Sequence, residues 1–482
     1  MEHTTLAEIA AVAGAAGAGL VLLVPRRAGF LAGVTLLAAA EAMLAVALAE
    51  DTLRLLLDEP SGWVLVAAGV VGVALLGHVF HRNPAVVPVA LLAAAPFRIP
   101  VEVADEKAFL LLPLYGVLAA AGLAAVVGVL RVPRLPAIPV FLAAPAGAFV
   151  ALSSVSLLWS RDVRAGSIAL AFFFLPFVFG LALVARSPVT AWLPRALATT
   201  LVLLAAGFAA IGLWQARTRE LFFAPDLEVA NAYTTFFRVT SLFKDPSLYG
   251  RYLIAAMAVL LVALWLGRAR AAVVLPLTAL LFAGLHFSYS QSSFVALFAV
   301  VLAISVALGG RRLRVALAAG AAVAVVAAGA VTAASIADEG ARTATSGRSR
   351  LVSVTLDAWR SAPIAGVGLG GQPKASTEES GTGTVKRNAS HTTPLTVAAE
   401  LGLVGLVVYG WLLVAGALGL IRVVACDRAL GLGLSAVGLM LVVHSLFYAG
   451  FFEDPLTWGV LAVSAAAIAS AGARPVGDLQ AH

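Results

Sequence analysis

Residues 394–421 read PLTVAAELGLVGLVVYGWLLVAGALGLI, and Glu400 is the one charged side chain among them. A bilayer's hydrocarbon core is about 30 Å thick and takes roughly 20 helical residues to cross. The stretch therefore reads as a membrane span. Thr392 or Thr393 can cap it, and Pro394 suits its first turn. Similar runs lie near residues 6–24, 28–49, 63–80, 84–100, 108–130, 137–158, 166–185 and 196–214. More follow near 247–267, 271–288, 292–308, 315–336, 429–449 and 456–472. The run at 84–100 is the least regular, because it holds Pro84, Pro88 and Pro96. With 61% hydrophobic residues, 12% charged residues and a mean hydropathy of +1.00, the 482 residues carry more apolar surface than a soluble core could hide. The expected fold is all-α: a polytopic integral membrane protein with about 12–15 transmembrane helices.

Charge supplies an orientation. If alternate connections are cytoplasmic, that side collects Arg26, Arg27, Arg82, Arg131, Arg134, Arg186, Arg195, Arg268, Arg270, Arg311, Arg312, Arg314, Arg422, Arg428 and Arg474. Its only acids are Asp427 and Asp478. This is the asymmetry of the positive-inside rule, and a frame shifted by one span would reverse it. The polar segment at 337–392 is then expected to be one large outward-facing loop, with the C-terminus cytoplasmic. The pI of 9.9 follows from topology and carries no implication of nucleic-acid binding. Met1-Glu2-His3-Thr4-Thr5 is acidic, so the first run reads as a span and not a cleaved leader. The single cysteine, Cys426, excludes an intramolecular disulfide. Three parts are expected: N-terminal transmembrane helices at 1–150, a membrane domain at 151–472 with outer loops at 215–245 and 337–392, and a cytoplasmic tail at 473–482.

The two outer loops hold most of the candidate chemistry. In the second, Leu351, Val354, Thr355, Ala358 and Trp359 fall at helical spacing. They predict a short helix over 351–360, either interfacial with Trp359 at the headgroups or simply a surface helix. Arg348 and Arg350 follow Gly347, and their guanidinium forks suit phosphate as well as open solvent. The loop closes on His391, directly before a helix start. An imidazole there can take a proton from a hydroxyl or offset a phosphate, and a bystander at the interface would look the same. In the first loop Arg238 precedes Asp245-Pro246, a capped helix start whose N–H groups favour anions. Snorkelling to lipid phosphate is the alternative for Arg238.

Other polar residues lie within or beside spans. Glu400 is costly inside a span and must face a cavity or a partner helix. Glu453-Asp454-Pro455 reads first as another cap, with Asp454 otherwise a supporting acid. Ser288-Tyr289-Ser290-Gln291-Ser292-Ser293 makes a hydroxyl-rich turn suited to capping or to a sugar. His286 and His444 read as histidines satisfied by neighbouring helices. Gly366-Val367-Gly368-Leu369-Gly370 lacks the strand–helix context of a nucleotide-binding loop. No outer loop offers Asp-x-Asp or paired histidines, so neither metal nor cofactor is expected.

Together these residues resemble the O-antigen ligase and Wzy-type polymerase superfamily of bacterial cell-surface polysaccharide assembly, over about residues 150–470. The likeness runs from Gly347-Arg348 through Asp357-Ala358-Trp359, Pro363 and Gly366-Val367-Gly368-Leu369-Gly370. It continues to His391 and Glu400-Leu401-Gly402-Leu403-Val404-Gly405. His391 and Gly402 reproduce the ligases' H-x10-G spacing, and Arg238 and Leu242 their R-x3-L element. The serine turn carries Gln291 where arginine is usual.

The resemblance implies a glycosyltransferase of the bacterial cytoplasmic membrane, active on its periplasmic or extracellular face. The donor would be an undecaprenyl-diphosphate-linked oligosaccharide, and the acceptor a hydroxyl on a glycan or lipid-linked sugar. Membrane lipids and other polysaccharide-assembly proteins would be its partners. His391 would be the base, with Arg238, Arg348 and, to a lesser degree, Arg350 on the diphosphate. Glu400, Gly402 and Asp454 would support them, and metal-independent attack would invert the anomeric carbon. Extra spans and a compact loop favour a polymerase over a ligase that moves glycan to lipid A core or a protein. The rival from another class is a transporter or flippase of an anionic solute or lipid. Such carriers commonly show broken helices, inverted repeats and a polar midplane path, none of which is legible here.

Overall fold

The computed structural model describes residues 2–103, 106–312, 315, 348–381 and 384–472. The expected span at 315–336 and the tail at 473–482 lie outside the described residues, as does the side chain of Arg348. Thirteen crossings among the described residues are long and apolar enough for a membrane. The first are helices α1 (Glu2–Leu23), α2 (Arg27–Asp58) and α3 (Pro60–Arg82), and after a short α4 (Val87–Ala94) come α5 (Leu112–Val129) and α6 (Val140–Val155). Next, α7 (Val163–Ala169) and α8 (Leu175–Val184) form one crossing, followed by α9 (Leu193–Thr218). A short α10 (Pro225–Ala232) precedes α11 (Pro246–Trp265), α12 (Ala271–Ser288) and α13 (Gln291–Leu308). Beyond the undescribed stretch lie α14 (Arg348–Ser361), α15 (Gln372–Ser380), α16 (Thr393–Cys426), α17 (Arg428–Ser445) and α18 (Pro455–Gly472).

The run at 84–100 does not form the full helical span expected of it. Pro84 opens a single 3-10 turn, α4 ends at Ala94, and the chain then enters an antiparallel hairpin of β1 (Ile99–Val103) and β2 (Glu106–Leu110). Each proline removes a helical donor and disfavours helix in the residue before it, so hydropathy alone overstates the helix. The segment still joins opposite ends of the bundle. At one end His81 meets Arg131 (3.3 Å), and at the other Phe109 meets Phe223 at a centroid distance of 6.0 Å.

Several arginines grouped by the charge count do gather at the first of these ends. Arg27 donates to the Leu130 carbonyl (3.4 Å) and Arg186 to that of Pro136 (3.1 Å), while Leu135 N–H bonds Pro25 O (2.8 Å). This basic end lies opposite the 219–245 loop. Between the two, the crossing through α7 and α8 contains a π turn, Leu170–Phe174. Pro176 cannot donate to Phe172, and the Tyr115 hydroxyl takes that freed carbonyl at 2.8 Å. Phe452 stacks on Phe149 at 4.0 Å, which anchors the loop before α18 to the core.

Candidate functional site

The Gly-rich segment serves α16. Gly402 sits inside that helix at φ +64, ψ −160, where a side chain is strained, and the helix breaks there. The carbonyls of Ala399 and Glu400 accept N–H groups from Val367 and Gly368, both at 2.9 Å. The N–H groups of Leu403 and Val404 turn instead to the carbonyls of Pro363 (2.9 Å) and Ile364 (3.2 Å). Four bonds to the loop thus replace two within the helix. A Cβ on Gly366 would lie 2.2 Å from Glu400 O, so glycine is required on both sides of the joint. Glu400 is half-buried, with the backbone N–H groups of Gly370 and Gln372 facing its carboxyl group.

The helix expected over 351–360 is present as α14 and begins earlier, at Arg348. Its buried face, Val354, Thr355 and Ala358, turns toward protein. Ala358 joins Val367, Ala375 and Ala399 in a small core of its own, with half-buried Trp359 against it. Helix α15 was not foreseen, and its buried Gln372 organises the strap that follows. Gln372 Nε2 donates to Asn388 O (3.0 Å), and its Oε1 accepts Ser390 N–H (2.9 Å). Arg350 is tied to the same strap through Asn388 Oδ1 at 2.8 Å. The strap presents His391, which is exposed at the rim of a cavity of about 170 Å³. Leu351, Val352, Ser390, Thr392, Leu446 and Phe447 complete its lining. Thr392, not Thr393, caps α16, accepting Leu395 N–H at 3.4 Å.

Arg238 is held on the other outer segment. Asn231 brackets its backbone with two bonds, 3.1 Å to N–H and 3.0 Å from Nδ2 to the carbonyl, and Arg238 Nε reaches Ser288 O at 3.3 Å. Downstream, buried Gln215 pins Thr240 and Ser241 with three bonds, including 2.7 Å to Ser241 N–H. Asp245 caps α11 as expected, accepting Ser247 N–H at 2.6 Å. Burial pulls the Arg238 guanidinium below its ordinary pKa, with Asp245 acting in the opposite direction.

A buried polar network links the two outer segments. Arg251, in α11, is 1% exposed and pairs with Asp454, while also donating to Gly450 O (3.1 Å). Its Nη2 lies 3.3 Å from His444 Nδ1, and His444 Nε2 lies 3.2 Å from Ser292 Oγ. The guanidinium also stands over the Tyr448 ring, 5.4 Å from its centroid. Asp454 caps α18 through Leu456 N–H (2.8 Å), so it is both the cap and the partner of a buried charge. The serines at 288, 290, 292 and 293 are buried and bond inward, which leaves little of the turn for a sugar. Arg251 was missed in the sequence because the run 247–267 is apolar overall. The cost of an arginine inside a span was the available signal.

The geometry gathers the candidates at one end without fusing them into a single cluster. Arg238 contacts Ser288, the same turn reaches His444, and Leu446 and Phe447, just beyond His444, line the cavity at His391. Among the described residues no group of three or more His, Cys, Asp or Glu has the arrangement of a metal site.

The O-antigen ligase family model matches residues 276–410. The chain carries an O-antigen ligase domain. That match, together with the thirteen apolar crossings, supports a glycosyl-transferring membrane protein of the ligase/polymerase type in polysaccharide assembly. No curated protein matches the chain. The O-antigen ligase domain takes in α12, α13, the loop helices, His391, Glu400 and Gly402, whereas Arg238, Arg251, His444 and Asp454 lie outside it.

Proposed function

We propose that the protein transfers a glycan from a polyprenyl diphosphate, undecaprenyl diphosphate in the bacterial cytoplasmic membrane, to a hydroxyl of a second glycan or lipid-linked acceptor. The reaction would occur at the end opposite the basic one, on the periplasmic or extracellular face. The observation that carries the reading is His391 at a cavity rim, set at the capped N-terminus of α16 inside the O-antigen ligase domain. A ring nitrogen of His391 takes the acceptor's proton as the oxygen attacks the anomeric carbon in line. The bond from that carbon to the diphosphate breaks, and the leaving diphosphate keeps the electron pair. Arg238 and Arg348 offset the growing charge, aided by the helix starts at Pro246 and Thr393. Arg350 acts chiefly by fixing the strap through Asn388.

Polymer extension is the preferred outcome, since the chain adds spans before the ligase-like region. Ligation is the second reading, favoured by the family that matches. A surface-glycan ladder that collapses to one repeat on gene deletion identifies a polymerase, and full-length chains left on the carrier identify a ligase. A transporter is disfavoured, because a second cavity, of about 340 Å³ in the helical core, is lined by apolar residues apart from Arg195 and Arg268. The decisive test is mass spectrometry of purified protein incubated with polyprenyl-diphosphate oligosaccharide and acceptors. His391→Ala and Arg238→Ala should each lose about 10²–10³ in rate. Wild-type product from either variant would sink the assignment.

A further inference from the structure

The core cavity that Arg195 and Arg268 help to line lies away from His391 and has no part in the proposed transfer. It holds about 340 Å³ between α4, α5, α8, α9, α11, α17 and α18. It runs from Pro455 and Leu114, near the proposed catalytic end, to Arg195 and Arg268 at the basic end. Three observations bear on what occupies it. Its walls are hydrocarbon throughout, yet its mouth carries two exposed arginines. Neither arginine pairs with a carboxylate among the described residues. Finally, Gly433 on α17 and Gly459 on α18 line the cavity, and a Cβ on either would meet no heavy atom within 4 Å. Glycines in membrane helices commonly bring backbones together. These two instead widen a slot.

We infer that this slot is a binding site for an anionic diacyl phospholipid, with an acyl chain between α17 and α18 and the phosphate on Arg195 and Arg268. The shape suits a chain, and the pair of guanidinium groups selects a negative headgroup. Asp427 does not oppose it directly, being engaged as the cap of α17 through Ala429 and Leu430.

The test uses the full-length protein, delipidated in detergent and titrated with phosphatidylglycerol or phosphatidylcholine of identical chains, with bound lipid read by native mass spectrometry. Phosphatidylglycerol should be retained preferentially. Each arginine removed in Arg195→Ala and Arg268→Ala should weaken retention about fivefold, near 1 kcal/mol per surface charge. Gly433→Leu and Gly459→Leu should exclude the lipid with both charges intact, while Arg195→Lys with Arg268→Lys should keep it. Equal retention of the two lipids would overturn the inference. So would retention unaffected by the leucine variants, or a polyprenyl lipid displacing phosphatidylglycerol from the slot. The readout is binding alone, so it stands apart from the outcome of any glycan-transfer assay.

Discussion

Replacing Gly402 with alanine should uncouple the outer loop from the membrane bundle. The new Cβ would lie 2.2 Å from Ile364 O, 2.4 Å from Ile364 C and 2.7 Å from Ala365 N. All three are backbone atoms, so no side chain can swing aside. If the break persists, the alanine keeps a conformation that costs about 1–3 kcal/mol, and the clash adds to it. If α16 straightens, the four bonds to residues 363–368 are lost and two intrahelical bonds return, a net loss of about 1–3 kcal/mol at 0.5–1.5 each. Detaching the small core of Ala358, Val367, Ala375 and Ala399 adds to that. Either route gives a destabilisation of about 2–4 kcal/mol. The assay is thermal unfolding in detergent alongside limited proteolysis of residues 361–371. Gly410→Ala is the control, because a Cβ there meets no heavy atom within 4 Å. A Gly402→Ala protein with the control's Tm and protease resistance would refute the joint between loop and helix.

Four other outcomes follow from the geometry. Asp454→Ala strands the buried Arg251 charge and should cost about 3–5 kcal/mol, whereas Arg251→Met with Asp454→Leu should recover much of it, as measured by Tm. Gln215→Ala breaks three bonds to Thr240 and Ser241 and should cost about 1–3 kcal/mol, with transfer activity falling as the Arg238 segment loosens. Glu453 is raised above its ordinary 4.5 by burial. Its contribution is full below that pH and is lost as pH rises through the folded value, so Glu453→Gln should raise Tm at pH 8 more than at pH 5. Arg350→Lys should retain less activity than its conserved charge suggests, because a single ammonium replaces the planar fork that now reaches Asn388.

The spans were largely legible because hydropathy and length set them, and the helix starts because Asp245-Pro246 and Thr392-Thr393-Pro394 state them locally. Residues 84–100 read wrongly for the converse reason: their hydropathy matches a span while their prolines end the helix. The Gly366–Gly370 motif could be recognised but not interpreted, since its partner is a helix more than thirty residues on. Arg251 and His444 were the hardest. Each looks like an isolated polar residue in its own helix, and only packing of α11, α13 and α17 brings them together. The loop's amphipathic stripe was correct in period, but periodicity does not say whether lipid or protein covers it.

The pairing of Arg251 with Asp454 also bears on how the chain is made. The partners are 203 residues apart. At roughly 5–20 residues per second, Arg251 waits about 10–40 s for its counter-ion to be synthesised. During that interval α11 carries a charge that has no carboxylate to meet it. Its place between one and two turns below the start of the helix allows the long side chain to reach up to the interface and stay hydrated. The ion pair can then close only once Asp454 arrives at the start of α18, so a helix made late completes the core around one made much earlier.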